Sequence, residues 1–187
     1  MTAVFGVFVL AGCSEDDLKK TSAVLDSPTV ENDFDRWLAK NYMEPYNIDF
    51  KYRFKDVLGD MDYNLTPADY GQAIKLAKLT LHLTLQVYDE VTGNRQFISE
   101  NFPKIVHVIG SPAYNENNNI VLGVAEGGKM MTLYQVNIID YLLETKNIAQ
   151  LNELFFKTMH HEFGHILHQT RPYSTDFNAV TPSSSVS

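Results

Sequence analysis

The chain has 187 residues with a formal net charge of -8, and 44% of it is hydrophobic against 20% charged. That balance suits one globular domain with its own core and excludes a disordered chain. No cluster of Lys and Arg of the kind a phosphate-binding surface needs is present, which excludes nucleic acid as a partner, and the single cysteine, Cys13, excludes an intrachain disulfide.

Residues 1–12 read MTAVFGVFVLAG, an uncharged apolar stretch. It is too short to span a bilayer and suits the apolar core of a secretory signal. A basic n-region is missing, so the signal is expected to begin further upstream. The stretch ends in Leu10-Ala11-Gly12-Cys13, which resembles the lipobox of bacterial lipoproteins. That resemblance implies cleavage before Cys13 and lipidation of it, several acyl chains anchoring stably where one would be marginal. Residues 13–27, with Ser14-Glu15-Asp16-Asp17 at their head, read as the lipidated cysteine and its tether.

A domain is expected over 28–180. From Pro28 to Tyr42, Phe34, Trp37, Leu38 and Tyr42 recur at helical spacing. Ile48, Phe50, Tyr52 and Phe54 alternate along Ile48–Phe54 as on a strand with one buried face. Thr66-Pro67-Ala68-Asp69 predicts a helix start, with Thr66 as the cap and Pro67 in the first turn. This helix should run to about Val91 and stop at Thr92-Gly93-Asn94. Its apolar residues, among them Leu76, Leu81, Leu83, Leu85 and Val87, nearly surround it, which predicts a central packing helix.

Ile105–Ile109 reads as a buried strand. Ile120–Ala125 and Met131–Val136 read as two more, joined by a tight turn at Glu126-Gly127-Gly128-Lys129. Ile148–His168 is the last long helix, halted by Pro172. Residues 181–187 form a small, polar tail. The order predicts an α/β (α+β) domain, a mixed sheet covered by two long helices.

His161-Glu162-Phe163-Gly164-His165, on the second of those helices, fits the pattern HExxH. Residues four apart share a helix face, so both imidazoles can reach one Zn²⁺ at about 2.0–2.1 Å. Glu162 then serves as general base towards the attacking water. A catalytic zinc normally takes a third protein ligand. His168 lies on the same face, but a straight helix sets it about 10 Å beyond His161, so both can share a metal only if the helix breaks after His165. Asp176, Glu126 and Asp140 are the other candidates. His160 points away from the pair, His82 and His107 read as satisfied core or surface residues, and Tyr173 as an exposed tyrosine.

The front of the chain, LAGC-SEDD, and its HHEFGHILHQ segment together resemble the zinc-binding metallopeptidase lipoproteins of Bacteroidetes, also described as substrate-import-associated zinc metallohydrolase lipoproteins. His161–Gln169 matches their HExxHxxHQ core and departs from the metzincin pattern, with His168 and Arg171 where that has Gly and His. The resemblance implies a zincin-like fold, a zinc cofactor and a peptide or other amide substrate. It implies a lipid-anchored place at the outer membrane, on its outer face if the acidic run after Cys13 acts as an export signal. A TonB-linked importer and a SusD-like lipoprotein are the implied partners, and a non-catalytic accessory lipoprotein of such an importer is the alternative function. Similar proteins continue beyond the motif, so the domain is expected to be cut short at its C-terminus.

Overall fold

The computed structural model describes residues 31–54 and 65–171, apart from the Glu126 side chain. The signal stretch, Cys13, the tether, Pro28, Pro172, Tyr173, Asp176 and the 181–187 tail lie outside the described residues. All of the elements below belong to the unit Asn32–Ser187.

Helix α1, residues 33–46, is fixed at its start by a reciprocal cap. The Asp35 N–H donates to Asn32 Oδ1 at 2.8 Å, and the Asn32 N–H donates to Asp35 Oδ2 at 2.9 Å. The helix widens into a π turn at Ala39–Met43 and ends where Asn47 turns left-handed at φ 54°. Strand β1 follows, Asp49–Lys51. The predicted alternation holds, since Ile48, Phe50 and Tyr52 are all buried. β1 is an edge strand and pairs over three residues with its one neighbour.

Helix α2, residues 70–92, begins later than the sequence suggests. Asp69, not Thr66, is the cap, accepting from the N–H groups of Gly71 at 2.9 Å and Gln72 at 3.2 Å. Pro67 instead forms an isolated bridge with Ile109. The helix carries a π turn at Leu81–Leu85 and stops at Gly93, whose φ of 68° suits a residue without a Cβ. Ala73, Leu76, Ala77, Leu81 and Leu85 are buried, but Leu83 and Val87 are 47% and 41% exposed. The helix therefore packs through one face rather than all round. Short helix α3 is Gln96–Asn101.

Strand β2 is Ile105–Val108. The small strands β3, Ala113–Tyr114, and β4, Ile120–Val121, pair antiparallel as a separate sheet. The apolar run expected as one strand divides at Leu122, and its second half is β5, Gly123–Glu126, which pairs antiparallel with β6, Met130–Leu133. Between them Gly127 and Gly128 take φ values of 55° and 70°, the backbone the predicted turn requires. The main sheet has the order β1-β2-β6-β5, parallel except for β5. A 3-10 turn at Val136–Ile138 leads into α4, Ile139–Glu144.

Helix α5, residues 148–170, is the second long helix. It starts as α at Ile148–Leu151, widens into a π turn at Asn152–Lys157, and resumes as α over Thr158–Thr170. The wide turn lets three consecutive residues, Leu154, Phe155 and Phe156, all be buried. One continuous core forms where Phe50, Val106, Val108, Met131 and Leu133 of the sheet meet α1, α2 and α5. Tyr42 donates to the Ala77 carbonyl at 2.5 Å, and Thr80 approaches Met159 Sδ at 3.9 Å, tying the three helices together. Among the described residues no helix is long and apolar enough to cross a membrane.

Candidate metal centre

The HExxH segment sits wholly within α5, so its spacing becomes geometry. The Nε2 atoms of His161 and His165 lie 3.0 Å apart, with ring centroids at 4.5 Å and planes at 86°. Both rings are exposed. Two nitrogens that each bind one zinc at about 2.0–2.1 Å stand roughly 3.3 Å apart across a tetrahedral angle. The observed separation is close to that, and imidazole is a donor that suits zinc, so this pair fits the ion. Phe163, between them in sequence, is fully buried and faces the core. Its ring meets Tyr88 edge-on at 5.3 Å and lies 5.9 Å from Phe97. The motif thus presents its histidines outward because its phenylalanine is held inward.

Of the remaining candidates, His168 and Asp140 do not gather at this pair. α5 runs unbroken through His168 to Thr170, so the break needed to bring His168 round is absent. Asp140 belongs to α4 and pairs with Lys75. Glu126 ends β5, and Asp176 lies outside the described residues. Among the described residues no group of three His, Cys, Asp or Glu side chains could hold a metal ion.

The other histidines separate clearly. His160 turns away from the pair as expected, its Nδ1 lying 3.0 Å from the Tyr88 hydroxyl, and burial holds its pKa below the usual histidine value. His82 is exposed and pairs with Gln86 at 2.6 Å. His107 departs from its expected role as a satisfied residue. It is fully buried, yet neither ring nitrogen has a hydrogen-bond partner, nor does the Oγ1 of Thr132 beside it in register. Burial first, and then the charge of Lys51, push its pKa down. The cause is strand alternation: His107 occupies the sheet face opposite Val106 and Val108, where the Phe54 ring lies 6.5 Å away.

A cavity of about 270 Å³ opens beside the motif between β5 and the first half of α5. Leu122, Gly123, Glu153, Lys157 and Thr158 line it together with His161 and Glu162. Sequence reasoning missed this wall, although one signal was there. Gly123 interrupts an apolar strand run, and a glycine in such a place marks a close approach of backbone. A Cβ built on it would stand 2.7 Å from Thr158 Cγ2, so β5 can lie this near α5 only without a side chain.

A mostly parallel sheet backed by helices is consistent with a metallopeptidase fold. Residues 27–187 match the model of the family described as "Putative zinc-binding metallo-peptidase", and the chain belongs to that family. It is similar to the crystal structure of a "putative zinc-binding metallo-peptidase" from Bacteroides caccae ATCC 43185, at 42% identity and a TM-score of 0.59. The likeness covers 79% of this chain and 54% of that one, so the chain spans about half the length of that relative. No curated protein matches it.

Proposed function

We propose that this protein is a zinc-dependent metallopeptidase, held at the cell envelope by a lipid on Cys13, that hydrolyses a peptide or other amide substrate. The observation that carries the reading is the 3.0 Å approach of the His161 and His165 Nε2 atoms, with Glu162 on the wall of the adjoining cavity. His161 and His165 would hold the ion. Zinc, when bound, supplies the Lewis acidity that polarises a carbonyl and brings the pKa of a water towards about 7. The Glu162 carboxylate accepts the proton of the attacking water and delivers it to the leaving amide nitrogen. Phe163 fixes the turn of helix on which all three act. A third donor completes the set. His168 is the one the motif offers, joining only if α5 opens after His165, and Asp176 and Glu126 are the others.

The test is metal analysis joined to a cleavage assay. The purified protein should carry near one zinc per chain, and His161→Ala with His165→Ala should abolish it. Glu162→Gln should keep the zinc and lose at least about a hundredfold in rate, the low end for removal of a general base. Unchanged zinc in the double variant would overturn the metal site, and full activity in Glu162→Gln would overturn the role of the glutamate. The second reading, an accessory binding lipoprotein beside a TonB-linked importer, uses the same cavity without cleavage. A zinc-loaded protein that binds peptide and releases it uncut would favour that reading.

A further inference from the structure

We infer that the cavity between β5 and the first half of α5 is the pocket that selects the substrate, and that it takes an apolar side chain next to the bond to be cut. The inference rests on the peptidase reading above. His161 and Glu162 line the cavity together with the strand, so a side chain seated in it adjoins the reacting carbonyl.

The other walls decide its chemistry. The Thr158 hydroxyl is already used, donating to the Glu153 carbonyl at 3.1 Å, while its methyl is turned to the strand. Lys157 Nζ is bound to both carboxylate oxygens of Glu153, at 2.8 and 2.9 Å. The ammonium and this carboxylate therefore offset each other, and the pair leaves no net charge on this wall. A substrate carboxylate would also face Glu162. What remains for a side chain to touch is Leu122, the Gly123 backbone and the Thr158 methyl, all suited to an apolar group. Gly123 and Thr158 set the depth together. A methyl added at Gly123 must either lift β5 from α5 or drive the Thr158 methyl into the pocket.

The inference is tested by binding, apart from turnover. The full chain carrying Glu162→Gln is loaded with zinc and titrated with fluorescent peptides that differ at one central position, as Leu, Ala or Asp. The Leu peptide should bind at least about tenfold tighter than the other two, the lower range for a missing apolar group in a fitted pocket. Adding Gly123→Ala should cut the Leu-to-Ala ratio at least fivefold. Thr158→Ser, which removes the methyl and keeps the hydroxyl, should restore the ratio in that background. If Gly123→Ala does not fold, Thr158→Ser alone should improve binding of a Phe peptide relative to Leu at least threefold. Equal affinity for all three peptides, or ratios unchanged by both substitutions, would overturn the pocket. The peptidase reading fails separately: a wild-type protein that binds Leu selectively and cleaves nothing sinks that reading alone, while equal cleavage of all three peptides sinks only the pocket.

Discussion

The ring of Phe163 meets that of Phe102 with centroids 5.0 Å apart and planes at 61°, both rings being closed off from solvent. This contact joins the HExxH turn to the residue that follows α3, and it sets which way the histidines face. Phe163→Ala should cost about 3–5 kcal/mol of stability, the usual range for emptying a buried phenylalanine site. Urea unfolding, followed by far-UV circular dichroism, would measure it. A loss below about 1 kcal/mol would mean that the anchor lies elsewhere.

The third zinc donor can be approached by titration against a competing chelator. His161→Ala and His165→Ala should each weaken binding by at least about a hundredfold, as expected when a site loses one of few protein donors. Because α5 continues unbroken to Thr170, His168→Ala should weaken it by less than tenfold. A hundredfold loss in His168→Ala would show that the helix opens when metal binds. The same titration on Asp176→Ala and on Glu126→Ala reports on the other candidates.

His107 predicts a dependence on acid. Its folded pKa lies below the usual value, so the unfolded chain binds the proton more readily. The stability it contributes is therefore complete above about pH 6.5 and declines as pH falls towards its folded pKa. Replacing it by an uncharged ring, His107→Phe, should flatten the fall in stability between about pH 6.5 and 5 by at most one proton's slope, about 1.4 kcal/mol per pH unit. Denaturant midpoints of both proteins across that range would show it. Parallel curves would mean that His107 is protonated as easily when folded as when unfolded.

Lipidation is a matter for fractionation. With a basic n-region placed before Met1, the protein should sediment with membranes and incorporate labelled fatty acid. Cys13→Ala should end both. Persistent labelling of the variant would remove Cys13 from the role.

Much of this arrangement was legible in the residues. The HExxH spacing is a four-residue interval, and any regular helix turns that interval into a shared face, so the histidine pair could be read directly. The Gly127-Gly128 turn was equally plain, because few other residues accept two successive positive φ values. The start of α2 was misread because Thr66-Pro67 looks like a cap in isolation. Its backbone is instead taken by the bridge between Pro67 and Ile109, a long-range pairing that no local window contains. The division of the 120–125 run has a similar cause, since its halves pair with different partners, Ala113 and Leu133. His107 was read as satisfied because a strand's burial on both faces depends on what covers the sheet. The cavity wall stayed hidden for the same reason, being assembled from a strand and a helix far apart in sequence.

The π turn at Asn152–Lys157 has a consequence for changes in chain length. It stands between Leu151 and Met159, both buried, and directly ahead of His161. Each residue of a regular helix accounts for about 100° of rotation. An extra residue wound into α-helix would thus swing His161 and His165 more than a quarter turn away from β5. The wide turn absorbs such a residue as a local loosening, with the flanking helix still in phase. A one-residue deletion within 152–157 should accordingly regularise the helix and leave the histidine pair where it is. The same deletion within 158–160, in regular α-helix, would aim the pair at a different part of the protein.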